Sequence, residues 1–284
     1  MKFTQHQQAD SFLNTAKPAL EQEEAANNLM LGICMRLQQF PEHIEHQPYL
    51  ATVSDADELI AAAVMTPPYK LIVYAASSSS TDAFHLIAQN LMDEKWTLPG
   101  VNGPAEAALA FAQAWSKLTR IRFENNRKLR VYELKAVEHP QNVPGQMRIA
   151  TQADVDLVAE WLKGFHVEAL PDDPQIDFWG SARLRIAQGH FYIWEDQGKP
   201  VCMAASTRPT YNGITVNAVY TPPESRRKGY ATACVAQLSQ LLLDQGYQFC
   251  SLFTDLSNPT SNSIYQKIGY KPVCDFHEFQ FDHG

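Results

Sequence analysis

The amino-acid sequence predicts an α/β protein with mixed sheet, built from two halves of similar plan. Three observations lead there. The chain has 284 residues, long for one hydrophobic core and ordinary for two. Short apolar runs of strand length alternate with segments of helical periodicity. The order of those segments nearly repeats on either side of a polar stretch, Glu138-His139-Pro140-Gln141-Asn142-Val143-Pro144-Gly145. That stretch has two prolines, a glycine and no apolar periodicity, so it reads as a linker. Domains are expected at 1–138 and 147–284, with the linker at 139–146.

In the first half, Leu29, Ile33 and Leu37, with Met30 alongside, place a helix over 20–39, and Pro41 stops it. Strands are expected at 49–53, 58–65 and 70–75. Serines 77–80 lead into a helix over 82–93. Residues 98–104 form a short strand closed by turn residues, and Pro104 suits the first turn of a helix reaching Leu118. Strands follow at 121–124 and 129–137.

The second half opens with a strand at 147–150. Thr151 is a good N-cap for a helix over 154–162, with Asp154 three residues in. A loop over 166–174, rich in acid and proline, precedes a helix over 175–188. Strands at 191–195, 201–207 and 214–220 come next, then a helix over 229–245, a strand at 249–254, a helix over 259–268 and terminal strands within 271–281. No letter-by-letter repeat joins the halves. The repetition lies in the folding pattern.

Composition narrows the function classes. Hydrophobic residues make up 45% and charged residues 19%, a globular balance. The net charge of −8 leaves no domain-wide basic face for nucleic acid. Five scattered cysteines without a Cys-x-x-Cys pair fit a reducing, cytoplasmic setting better than a disulfide framework or zinc site, so no metal is expected. The polar N-terminal residues have no signal-peptide core, and no apolar run approaches membrane-spanning length.

One stretch carries chemistry. Val219-Tyr220-Thr221 ends an apolar strand, and Pro222-Pro223 stops its ladder. Arg226, Arg227, Lys228 and Gly229 then open a helix at Tyr230, Ala231 and Thr232. A helix start leaves backbone N–H groups without partners and carries partial positive charge. Three cations and a glycine beside it suit a phosphate-rich ligand. The same residues also fit a solvated basic turn capping a core helix. Neither Gly-Lys-Ser/Thr nor Gly-x-Gly-x-x-Gly is present, which disfavours nucleotide P-loops and dinucleotide folds.

A second stretch runs from Asp255 to Tyr270. Asn258 is an N-cap, Pro259 fits the first turn, and Gly269 ends the helix. Positions 258, 262 and 265 are expected on the outer side, with Ser261, Ile264 and Ile268 buried. The outer side would then offer the amide of Asn262 and the phenol of Tyr265, a group able to protonate a departing thiolate.

Together the two stretches resemble the GNAT superfamily of N-acyltransferases. The superfamily's loop, Arg/Gln-x-x-Gly-x-Gly/Ala, reads here Arg226 to Ala231. Its later pattern, Asn followed by a helix ending Tyr-x-x-x-Gly-Phe/Tyr, reads Asn258 to Tyr270. One helix and one strand separate them, as the resemblance requires, and it covers about residues 147–281. The chain as a whole looks like a tandem group in which a GNAT-like N-terminal half precedes a working C-terminal half.

The resemblance implies acetyl-CoA, or another acyl-CoA, as co-substrate and an amine as acceptor, on a small molecule or a protein. Pantetheine would pair with Val219, Tyr220 and Thr221. The pyrophosphate would lie on residues 226–232. Asn258, Asn262 and Ser263 would line the other side, and Tyr265 would protonate the CoA sulfur. The backbone N–H of Val219 would hold the developing oxyanion. Many relatives place a carboxylate base on the strand entering the loop, but here it reads Thr215-Val216-Asn217-Ala218. Glu195, His190, Glu168, Asp177 and His166 are the candidates left, or a water chain. The missing acid also keeps open a non-catalytic acyl-CoA sensor. A purely structural partner is a further reading. The first half lacks the loop pattern; its 98–104 segment has glycines but no cations, so it reads as a non-catalytic half.

Overall fold

The computed structural model describes residues 1–43, 46–77 and 80–283. It divides into two compact units. The first is Met1–Val131 with Asp255–Ser257 and Val273–Gly284; the second is Tyr132–Thr254 with Asn258–Pro272. The division therefore falls ahead of the expected linker, whose residues 139–146 lie in the second unit, and the chain's last residues belong to the first.

The first unit runs β1 (Lys2–Gln5), α1 (Ala9–Leu20), α2 (Asn28–Gln39), β2 (Tyr49–Asp55), β3 (Glu58–Met65), β4 (Leu71–Ala75), α3 (Thr81–Asp93), β5 (Gly100–Pro104) and α4 (Ala105–Thr119). The long strand β6 (Arg122–Leu134) follows. The second unit runs β7 (Gln146–Ile149), α5 (Val155–Ala169), α6 (Phe178–Ala187), β8 (Phe191–Asp196), β9 (Lys199–Thr207), β10 (Gly213–Tyr220), α7 (Tyr230–Asp244), β11 (Phe249–Asp255) and α8 (Pro259–Ile268), before β12 (Lys271–Asp282). Strand and helix order is the same in both, which is the repetition expected from the pattern.

In the first unit β1 to β4 form an antiparallel meander, β5 lies parallel to β4, and β12 pairs antiparallel with β5 through Phe276–Gln280. Phe84, Phe111 and Trp115 of α3 and α4 pack one face with Phe279 and Phe281. Phe12, Leu20 and Leu31 of α1 and α2 pack the other. In the second unit β7, β8, β9 and β10 are antiparallel neighbours in sequence, and β11 is parallel to β10. Val235, Leu238 and Leu242 of α7 cover one face. Val158, Leu162, Phe178 and Ile186 of α5 and α6 cover the other.

Several elements depart from expectation for local reasons. The helix foreseen over 20–39 is broken after Leu20. Asn27 Nδ2 donates to the Leu20 carbonyl at 3.0 Å and Asn28 Nδ2 to the Ala25 carbonyl at 2.6 Å, and amide side chains that bind nearby backbone compete with the helical ladder. The strands foreseen at 121–124 and 129–137 are one strand, because Arg127 is held by Glu278 at 2.8 and 2.9 Å instead of turning the chain. Ser78 and Ser79 of the foreseen serine turn lie outside the described residues. Thr151 and Asp154 do form a reciprocal capping box, and Arg148 grips Asp154 with two bonds of 2.7 Å. Among the described residues no helix is long and apolar enough to cross a membrane, and no group of three or more His, Cys, Asp or Glu could hold a metal ion.

Candidate active site

The second unit holds a V between two parallel strands. β10 and β11 pair at Gly213, Ile214 and Thr215, opposite Phe249, Cys250 and Ser251. The hydroxyls of Thr215 and Ser251 lie 3.0 Å apart at the last rung. Beyond it the strands run on to Tyr220 and Asp255 outside that register. On its other edge β10 pairs Asn217 with Ala205, then Tyr220 with Met203, so residues 218 and 219 share one partner position. This is a β-bulge, with Ala218 at φ +48. A bulge takes backbone N–H and C=O groups out of the ladder's register, and this one spans Ala218 and Val219. The bulge itself has no signature in the sequence.

Above the V, Pro223–Ser225 make a tight turn, Arg227 adopts φ +64 and Gly229 φ +83. The first bond of α7 runs from the Ala233 N–H to the Gly229 carbonyl at 3.0 Å. The amides before Ala233 therefore lie outside the helical ladder and at its positive end. Arg227 and Lys228 are exposed. Arg226 is committed: it grips Glu168 with bonds of 2.7 and 2.9 Å, and its Nε donates to the Thr221 carbonyl at 2.8 Å. The Tyr230 ring is buried, and its hydroxyl donates to Asp196 at 2.5 Å. Of Tyr230, then, only the amide remains at the loop. Ala231 and Thr232 are partly exposed on the first turn.

On α8, Asn258 caps the helix by accepting from the Ser261 N–H at 3.0 Å. Asn262 donates to the Asn258 carbonyl at 2.8 Å and accepts from the Tyr132 hydroxyl at 3.0 Å. Ser263 is exposed. Tyr265 corrects the expected helix faces: it is buried, 8% exposed, along with Ile268, while Ile264 is only partly covered. A phenol has more apolar surface to bury than an isoleucine edge, and Tyr270, tied to Ser239 at 2.8 Å, gives it an aromatic wall 6.0 Å away. Burial, and then the neighbouring Cys202 thiol, push the Tyr265 hydroxyl above its ordinary range. Val219, Tyr230, Ala231 and Tyr265 all belong to the same apolar cluster beneath α7.

The proton-acceptor candidates separate clearly. His166 and Glu168 lie on a helix, not a loop, because Val158, Leu162 and His166 continue one buried stripe and carry α5 to Ala169. Glu168 is paired with Arg226. Glu195 accepts from Arg148 Nε at 2.8 Å. Asp177 caps α6 by accepting from the Gly180 N–H at 2.9 Å. His190 lies 3.4 Å from the Ser206 hydroxyl, its pKa lowered by burial and by the Arg185 charge. His166 is buried edge-on to Phe178, and its Nε2 has no hydrogen-bond partner. Asn217 accepts from Arg185 Nη2 at 3.1 Å. Gly164 escaped the sequence reading; a Cβ there would lie 2.6 Å from the Tyr220 hydroxyl, so this glycine lets the Tyr220 ring rest on α5. A glycine inside a helical pattern was the available signal.

The same place in the first unit is the turn between β4 and α3, not the 98–104 segment, which forms β5. That turn reads Ala76-Ser77-Ser78-Ser79-Ser80, with no glycine and no cation. Its Ala76 N–H is paired to the Ile60 carbonyl at 2.9 Å.

Known proteins share this fold. Residues 155–270 match the model of the Acetyltransferase (GNAT) family. A GNAT-family acetyltransferase from Colwellia psychrerythraea superposes with a TM-score of 0.60 at 14% identity, covering 99% of each chain. A GCN5-related N-acetyltransferase from Sphaerobacter thermophilus gives 0.62 at 16% identity, over 98% of this chain and 95% of that one. A tandem GNAT protein from the clavulanic acid biosynthesis pathway gives 0.57 at 11% identity, over 99% and 98%. No curated protein matches the sequence.

Proposed function

From a second half that carries a GNAT acetyltransferase domain over residues 155–270, and so a fold for acyl-CoA-dependent acyl transfer, we propose an N-acetyltransferase. It moves acetyl from acetyl-CoA to a primary amine by direct attack. The observation that carries this is the parting of β10 and β11 beneath a glycine-opened helix start. The V admits an extended amide-rich arm, and the helix start receives its diphosphate.

In this reading the arm pairs with Val219, Tyr220 and Thr221. The diphosphate lies on the amides of residues 226–232, with Arg227 and Lys228 adding charge. Asn258, Asn262 and Ser263 line the far wall. The amine nitrogen attacks the thioester carbon, and the bulge N–H of Val219 faces the developing oxyanion. His166, whose ring nitrogen is unpaired, accepts the proton the amine loses. The C–S bond then breaks, and Tyr265 gives its proton to the leaving sulfur. The high pKa of the buried phenol keeps it protonated and ready to donate, and the same apolar surroundings raise the basicity of the thiolate it meets.

The test is thiol release from acetyl-CoA with a panel of amino acids, polyamines, aminoglycosides and peptide N-termini. Tyr265→Phe should lower kcat by about 100-fold or more and leave acetyl-CoA affinity within a factor of about two. Unchanged turnover removes Tyr265 from the chemistry. Tight acetyl-CoA binding with no release from any amine favours the sensor.

A further inference from the structure

One row of the second unit's sheet is bridged by a cation. Phe191 of β8 pairs with Ala205 of β9, and Ala205 pairs with Asn217 of β10. Phe191 and Ala205 belong to the core under α5 and α6, so the row presents its side chains to that face. Its middle residue is small. Arg185 crosses the row from α6. Its Nη2 donates to Asn217 Oδ1 at 3.1 Å, and its Cζ lies 4.5 Å from the centre of the Phe191 ring. Arg185 stands between buried Ala182 and buried Ile186, at the margin of the helix's inner stripe, and is itself half-buried. A hydrogen bond at one end and an aromatic ring at the other hold the guanidinium in place.

This row lies next to the bulge. Asn217 immediately precedes Ala218 and Val219, and no more than about 7 Å of strand separates Asn217 from Val219. Ala218 packs into the same core under α5 and α6, whereas α7 covers the opposite face. His166 of α5 meets that core edge-on at Phe178 of α6. In the acyltransfer reading the amine arrives between the bulge and His166, on the face that Arg185 borders.

The chemistry of the row is one-sided. The bond from Arg185 turns the Asn217 carbonyl oxygen toward the guanidinium, which leaves the amide's Nδ2 to face away, and Nδ2 only donates. A guanidinium also only donates. Where many members of the superfamily place a carboxylate, this strand therefore carries an amide tied to a cation. We propose that Arg185, with Asn217, binds a carboxylate or phosphate carried by the acceptor amine and so determines acceptor specificity. This rests on the acyltransfer reading and narrows its substrate class. The planar fork of donors matches such groups, and a second ammonium in the same place would meet a like charge. A group a few bonds from the attacking nitrogen spans the distance from bulge to row.

Matched acceptor pairs test it: glycine against glycinamide, lysine against cadaverine, phosphoethanolamine against ethanolamine, each with acetyl-CoA and thiol detection. The acidic member should be preferred in kcat/KM by about 10- to 100-fold. Arg185→Gln can keep a bond to Asn217 without the charge, so it should lower kcat/KM for the acidic member far more than for its neutral partner. Arg185→Lys should keep part of the preference, and neither variant should move acetyl-CoA affinity. A purely structural arginine would instead lower both members of each pair alike. That result, a preference for the neutral members in wild type, or an acid preference that survives Arg185→Gln overturns the proposal while leaving acyl transfer intact. Thiol release from no amine overturns the acceptor assignment together with the acyltransfer reading.

Discussion

Gly229 offers the sharpest separation between a phosphate loop and a solvated turn. At φ +83 it occupies backbone that any other residue enters at a cost of about 1–2 kcal/mol. A Cβ added there would sit 3.1 Å from Val143 Cγ2, a contact that a side-chain tip can relieve by a few tenths of an ångström. For Gly229→Ala the backbone term dominates. If the loop relaxes in the free protein, acyl-CoA must restore it, and the same 1–2 kcal/mol appears as about 5- to 30-fold weaker binding. Gly246 is the control. It has φ +104, and a Cβ there meets nothing within 4 Å, but it follows the far end of α7. Gly246→Ala should cost similar stability and leave affinity unchanged. Calorimetric titration with CoA, beside thermal melts of both variants, reads the two effects apart. Wild-type affinity in Gly229→Ala despite a lowered Tm, or equal loss in both variants, refutes the reasoning.

Two further outcomes are expected. Glu168→Gln removes the carboxylate that neutralises Arg226, while the Thr221 carbonyl still holds the guanidinium in place. The pair is 40% and 49% exposed, so the effect is small: acyl-CoA should bind about two- to five-fold tighter with a steeper salt dependence, and weaker binding would mean that Glu168 positions the arginine instead. Asp154 has its pKa lowered to about 2, by the Arg148 hydrogen bonds first. Its folded-state pKa lies below the unfolded one, so its contribution, about 2 kcal/mol, is present above pH ~4 and fades as pH falls toward 2. Denaturant melts of Asp154→Asn should lie below wild type at pH 7 and converge with it near pH 2; a constant gap across that range would remove the pairing from the account.

Much of the second unit was legible because its signals are local. Asn258, Pro259 and Gly269 fix both ends of α8, and the structure gives Pro259–Ile268 as expected. Thr151 and Asp154 announced the capping box. What stayed hidden depends on partners far away in sequence. The bulge at Ala218 exists because β9 offers one position to two residues. Arg226 reads as a free cation until Glu168, 58 residues earlier, arrives beside it. Helical spacing alone puts Tyr265 on the outer face because it cannot say which of two stripes meets an aromatic wall, and Tyr270 decides that. In the first unit β1 is not legible, since a four-residue strand carries too little periodicity, and α1 is masked by Pro18, a residue that argues against a helix interior.

The two units share an order of elements but not the proposed phosphate loop, and the difference lies in six residues. Packing tolerates wide substitution as long as apolar positions keep their period, so both halves retain parallel central strands and helices on both faces. A diphosphate site is less forgiving. It needs left-handed backbone at one position, and amides turned away from the ladder. In the proposed reading Arg226 to Ala231 meet that need, whereas in the first unit the Ala76 N–H is paired to the Ile60 carbonyl and the sequence from Ala76 to Thr81 supplies neither glycine nor cation. The first unit is nonetheless not a detachable remnant. Its sheet is completed by β12 at the chain's end, which gives β5 its partner and adds Phe279 and Phe281 to the core. A chain cut at the polar stretch after Val137 would leave β5 with an open edge and its core short of two aromatic rings. The half without the proposed phosphate loop is thus joined to the half that carries it through the order of the chain itself.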